Sequence, residues 1–283
     1  TRLRNARREM KSDPSPAGVH LAAKLIRGEV VDRYSVRSSE HNQVPMIADK
    51  IDEPPADSPT VDLLDALPPE ERAYYEKEEN VVCWLGKSAE VFAEIEERFS
   101  FVGGSQEEYA KYFARTNLPR GMWLMTTADK VRAVAGFSCV PKKNMIDQRK
   151  LLMQCSTNYA WSSGKERSNF GLLGGGALSS IHVPGDAWAV SVSDESAAFT
   201  SVRTPSWMWP WSCVPPIRRK DVPEHFLNPE ILHASPMTWI YPQYQRLAMG
   251  GTHSVHILVS INLLSIGKAL MAGRLLPCGA ATS

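Results

Sequence analysis

The periodicity of the chain changes near residue 122, and this change limits the possible folds more than any other feature of its 283 residues. Before it, apolar side chains recur at helical spacing: Val91, Phe92, Ile95 and Phe99 fall on one face of residues 88–99. Residues 69–75 open with Pro69, Glu70 and Glu71, the composition of a helix start. Ser105 and Glu108 have the spacing of a capping box ahead of Tyr109, Tyr112 and Phe113. After it, short valine-rich runs alternate with turn residues, at 131–140, 151–155, 188–192 and 239–241. A long apolar helix is predicted from about Ser254 to Leu270. Helices first, then strands and helices interleaved, give an α+β fold class.

Residues 1–66 are rich in proline, charge and small polar side chains, as at Pro54, Pro55, Asp57 and Pro59. Such a segment buries too little apolar area to offset its ordering entropy and is expected to be poorly ordered. Its basic run from Arg2 to Lys11 reads as a solvated tail or as a contact for phosphates. Overall charge is +1, so any nucleic-acid-binding surface must be local. Five scattered cysteines without a C-x-x-C pair argue against a disulfide framework or a zinc site, and for an intracellular setting. The most apolar stretch, residues 255–270, is interrupted by His256, Ser260, Asn262, Ser265 and Lys268 and suits a buried helix better than a bilayer span. No signal peptide or membrane segment is visible, and a chain running from Thr1 to Ser283 reads as a fragment.

Four segments carry candidate chemistry. In the first, Lys142 and Lys143 precede the turn Asn144–Asp147, and Arg149 and Lys150 follow it. Basic side chains on such a hairpin close over a triphosphate or a strand backbone, or they protect a solvated edge. The second, glycine-rich at residues 170–178, matches neither a dinucleotide fingerprint nor a P-loop and reads as a flexible turn. In the third, Asp194 ends a predicted strand and Phe199 follows five residues later. An aspartate there holds a divalent cation or caps a turn. In the fourth, Gly250 and Gly251 permit close backbone approach, and Thr252, His253 and Ser254 can cap the long helix. Trp207, Trp209 and Trp211 would share one face if their segment were a strand, for packing or for base stacking.

The order and spacing of these segments resemble the reverse transcriptase family. The fingers pattern reads Val140, Pro141, Lys142, Lys143, Arg149, Leu151, Leu152 and Asn158; the palm pattern reads Asp194 and Phe199; the glycine loop reads Leu247, Gly250 and Ser254. The likeness covers roughly residues 122–270 and is nearest to divergent retroelement polymerases. It implies the fingers and incomplete palm of a right-hand polymerase. The boundaries are a helical region at 67–121, a fingers-like region at 122–187 and a partial palm at 188–283. It further implies that Lys142, Lys143 and Arg149 meet the incoming dNTP, that Asp194 binds catalytic Mg²⁺ and that Phe199 selects the sugar. Gly250 would underlie the nascent pair, with Gly251 and Ser254 toward the RNA or DNA template-primer.

Three departures accompany the resemblance. Met153 and Cys155 stand where the fingers strand carries an aspartate and an arginine, and Met249 stands for a glutamine. The tyrosine-x-aspartate-aspartate hairpin is absent, and the last acidic residue of the chain is Glu230. Two-metal nucleotidyl transfer needs carboxylates from both palm segments. The expectation is therefore an RNA-directed DNA polymerase fragment, inactive as this chain. The alternative is a degenerate, non-catalytic relative with a nucleic-acid-binding or structural role.

Overall fold

The computed structural model describes residues 43–115, 117–161 and 196–273. The chain divides into two units, Thr1–Val44 and Pro45–Ser283. In chain order the second unit runs β1 (Val61–Asp62), α1 (Leu63–Ala66), α2 (Pro69–Tyr75), α3 (Glu78–Val81), α4 (Ala89–Phe99) and α5 (Gln106–Phe113). Then come β2 (Trp123–Thr126), β3 (Gly136–Pro141), β4 (Gln148–Met153) and α6 (Cys155–Ala160). The last described elements are α7 (Ala198–Ser201), β5 (Val202–Arg203), β6 (Ile217–Arg218), β7 (Trp239–Tyr244) and α8 (Ser254–Gly273). This is a mixed α+β arrangement of small sheets: β2-β7-β6, the antiparallel hairpin β3-β4, and the parallel pair β1-β5.

Local signals account for the first helices. Pro69 begins α2 at the position where its missing N–H is unneeded. Ser88 Oγ accepts the Val91 N–H at 3.3 Å to start α4, and Ser105 Oγ accepts the Glu108 N–H at 3.1 Å to start α5. The Glu108 carboxylate does not complete a capping box; it accepts the Ala48 N–H at 2.5 Å. On α5, Tyr109, Tyr112 and Phe113 are wholly buried and meet Phe137 of β3 with ring centroids 5.1–6.4 Å apart. Trp123 of β2 joins this cluster 5.2 Å from Phe113, and Tyr244 of β7 lies 4.9 Å from Trp123. A second cluster joins α1, α2 and β5 to α8 through Leu63, Tyr75, Val202, Ile257 and Ile261.

Several expectations change. Residues 45–66 are not poorly ordered: Met46, Ala48, Ile51 and Leu63 are buried. Order there comes from distant partners. Gln148 accepts the Ile47 N–H and donates to the Pro45 carbonyl, both at 2.9 Å, and Arg115 donates to the carbonyls of Ala48 and Ile51 at 2.9 and 2.7 Å. The strand expected at 131–140 starts only at Gly136, because the N–H groups of Arg132 and Ala133 go to the Pro210 carbonyl. The second strand ends at Met153, and Cys155 begins α6 instead. The strand at 123–126 has no counterpart in the sequence reading, and the one at 188–192 lies outside the described residues. Val91 on α4 is exposed, so the apolar face of that helix is narrower than its pattern.

The tryptophan run forms a 3₁₀ helix, Ser206–Ser212, so the three rings do not share a strand face. At three residues per turn, alternate positions point in three directions. Each indole N–H finds its own acceptor: Trp207 the Tyr75 carbonyl at 2.9 Å, Trp209 the Thr204 carbonyl at 3.0 Å, Trp211 the Glu78 carboxylate at 2.8 Å. The rings anchor α2, α3 and the residue that follows β5 rather than form a stacking platform. Helix α8 is buried only in part: Ile257 and Ile261 are covered, whereas Leu263, Ile266 and Met271 are more than half exposed. Among the described residues no helix is long and apolar enough to cross a membrane.

Candidate functional site

The hairpin β3-β4 carries the basic cluster, and its register explains where each charge goes. Cys139 faces Lys150, Val140 faces Arg149 and Pro141 faces Gln148. The turn at its tip is the expected one: Asn144 Oδ1 accepts the N–H groups of Ile146 and Asp147 at 3.1 Å, and Met145 takes a positive φ of 58°. Strand alternation turns Gln148, Lys150 and Leu152 inward and Arg149 outward. Both hairpin edges are met by other backbone, with Val102 bridging Phe137 and Ile51 bridging Gln148.

The basic side chains separate into two groups. Lys150 is buried: its ammonium lies 2.7 Å from Glu53 and 4.7 Å above the Tyr244 ring. Tyr112 also donates to Glu53 at 2.7 Å, and Trp123 donates to the Tyr112 hydroxyl at 3.1 Å. Burial pulls the Lys150 ammonium down, but the Glu53 carboxylate and Tyr244 outweigh it, and the group stands above its ordinary value. Burial pushes the Cys139 thiol across from it up to about 12, so this sulfur is no nucleophile at neutral pH. Lys142 is ion-paired with Asp52, and Lys130 with Glu230. Lys143 and Arg149 are exposed and, among the described residues, have no acidic partner.

The glycine loop closes on the base of the same hairpin. Helix α6 follows β4 at once, and Asn158 on its second turn reaches across to the loop. The Asn158 amide donates to the Gly250 carbonyl at 2.9 Å and accepts the Thr252 N–H at 2.8 Å. Gly250 holds φ at 97°, a conformation that favours glycine, and faces the Leu152 carbonyl. A Cβ on Gly251 would come within 2.6 Å of Ser254 Oγ. Ser254 is buried and begins α8. His253, beside it, meets the Tyr75 hydroxyl at 3.0 Å through Nδ1.

Two of the candidate positions differ in how far the structure describes them. Phe199 in α7 is half-buried and packs against the cluster that holds Val202, Leu247, Ile257 and Ile261. Asp194, the residue assigned to Mg²⁺ by resemblance, lies outside the described residues, as does the glycine-rich segment 170–178. Among the described residues no three His, Cys, Asp or Glu side chains stand close enough together to hold a metal ion. The structure thus brings Asn158, Gly250, Gly251 and Ser254 together at the hairpin base. Lys142, Lys143 and Arg149 lie three or more residues farther out, about 10 Å or more along an extended strand.

Sequence reading did not find the buried Lys150–Glu53 pair or the buried Arg246. Their partners are distant in the chain, and the only local sign is that Gln245 and Arg246 follow Tyr244, the last residue of β7, with large polar side chains. No family model matches the chain, and no curated protein matches it.

Proposed function

We propose that the chain is the fingers and front palm of an RNA-directed DNA polymerase of retroelement type. The observation that carries this reading is the double hydrogen bond from Asn158 to the loop at Gly250 and Thr252. It ties the segment following the hairpin to the glycine loop, two segments that the resemblance assigns to one substrate site. Lys143 and Arg149 supply cations, unspent on acidic partners, for a triphosphate or a template-primer backbone. Gly250 and Gly251 offer a close approach beneath a base pair, and Phe199 the ring near the sugar. In the complete enzyme Mg²⁺ would be held by Asp194 with carboxylates from a second palm segment. A non-catalytic descendant with the same binding surface is the second reading, favoured by Met153, Cys155 and Met249.

Binding separates the cations by their partners. Lys143→Ala and Arg149→Ala are each expected to weaken binding of a labelled RNA–DNA template-primer about 3–10-fold and to lower its salt slope by about one. Lys142→Ala is expected to do less, since Asp52 already holds that ammonium. Fluorescence anisotropy across a salt series reads all three. Equal affinity in wild type and both exposed-cation variants would exclude the hairpin from the interface.

A further inference from the structure

Arg246 follows β7 and is 3% exposed. Its Nη2 donates to the Arg120 carbonyl at 2.6 Å. Nε and Nη1 are buried and, among the described residues, have no hydrogen-bond acceptor. Asp62, whose charge reaches this guanidinium, is already held through both oxygens by Arg203, at 2.6 and 2.7 Å. Arg203 and Arg246 face each other across an isolated antiparallel bridge. Among the described residues two guanidinium groups thus share one carboxylate, and the buried one has none to itself.

A guanidinium does not escape burial by releasing its proton. A buried charge without a counter-charge is strongly unfavourable, and structures ordinarily supply one. Nε and Nη1 lie on different edges of the group, so a single carbonyl does not satisfy both. An oxyanion supplies the missing negative charge and takes one edge of the group, Nε with Nη2 or Nη1 with Nη2, while Arg203 beside it stays paired with Asp62. The geometry points to an oxyanion site of the phosphate class, anchored by Arg246 with Arg203 at its rim. The carbonyl that accepts from Nη2 belongs to Arg120, on an exposed turn with Gly121. The site uses none of Lys142, Lys143 or Arg149 and stands apart from the polymerase reading.

Equilibrium dialysis of the full chain against radiolabelled inorganic phosphate tests the site, with thermal unfolding beside it. The expected result is one phosphate per chain and a melting temperature about 4 °C higher in 10 mM phosphate than in chloride of equal ionic strength. Arg246→Met abolishes both effects, and in chloride it melts no lower than wild type, because the uncompensated charge is gone. Should Arg246→Met not fold, Arg203→Gln, an exposed position, is expected to weaken phosphate binding about 5-fold. Displacement of bound phosphate by a 5′-phosphorylated dinucleotide alone marks a terminal phosphate as the natural group. Displacement by the unphosphorylated dinucleotide as well marks a phosphodiester, and either result supports the site. No bound phosphate, or a phosphate response that persists in Arg246→Met or is unchanged in Arg203→Gln, overturns it.

Discussion

Replacing Lys150 with methionine is expected to destabilise the fold by about 3–5 kcal/mol, read from urea unfolding. The loss comes from the partner left behind. Glu53 is 3% exposed at its side chain and, among the described residues, keeps only the Tyr112 hydroxyl once the ammonium is gone. Lys150 itself is held by Glu53 and by the faces of Tyr244 and Trp123, 4.7 and 5.5 Å away. The double variant Lys150→Met with Glu53→Gln is expected to recover most of the loss, because the Tyr112 donor still finds an amide oxygen and no charge is stranded. A single-variant loss below about 1 kcal/mol would show that the pair is solvated. The pH dependence has a defined sign. The folded-state value of Lys150 is raised, so its contribution is fully present below the unfolded value near about 10.4 and is lost as pH rises through the folded value. The alkaline fall in stability is therefore expected to be shallower in Lys150→Met.

Gly136→Ala is expected to cost about 3 kcal/mol or more, the upper range for overpacking against backbone. A Cβ at Gly136 would stand 2.1 Å from the Phe99 carbonyl oxygen at the end of α4, with Met153 Sδ at 3.3 Å on another side. The obstacle is backbone, and that backbone is itself fixed: Phe137 N–H donates to the Phe101 carbonyl at 2.8 Å, and Gly103 N–H to the Phe137 carbonyl at 2.7 Å. A methyl group therefore separates α4 from the hairpin. Gly267 in α8 is the control, since among the described residues nothing beyond its own helix backbone lies within 4 Å of its added Cβ. Alanine there is expected to stabilise by about 0.5–1 kcal/mol. Opposite signs at two glycines in regular structure distinguish close approach from chain entropy, and a stabilising Gly136→Ala would mean that α4 sits farther from β3.

These two positions also mark the limit of sequence reading. The starts of α2, α4 and α5 were legible because proline, serine and the apolar spacing act within one or two turns. The order of residues 45–66 was not, because its causes are Gln148, Arg115 and Lys150, far along the chain. The tryptophan spacing of two fitted a strand equally well, and Pro210 within the run was the one local sign against it. At the candidate site, the glycine loop was legible as a stretch that permits close approach; Asn158 was legible only as a position of the fingers pattern, and its bonds to the loop, 92 and 94 residues away, were not. The division of the lysines was not: Lys142 and Lys150 differ through Asp52 and Glu53, acids 90 and 97 residues away in the chain. Charge along the hairpin sequence does not distinguish its cations, although among the described residues only Lys143 and Arg149 face solvent near its tip without an acid.

The polymerase reading requires one surface, the hairpin and the glycine loop, to meet one nucleotide. Photo-crosslinking of a dNTP analogue to the full chain, with the labelled peptides mapped by mass spectrometry, tests this most directly. The predicted labels fall in the peptides that carry Lys143, Arg149 and Gly250 to Ser254, and unmodified dNTP competes them away. Competed labels confined to other surfaces, or no label that dNTP removes, would contradict that reading.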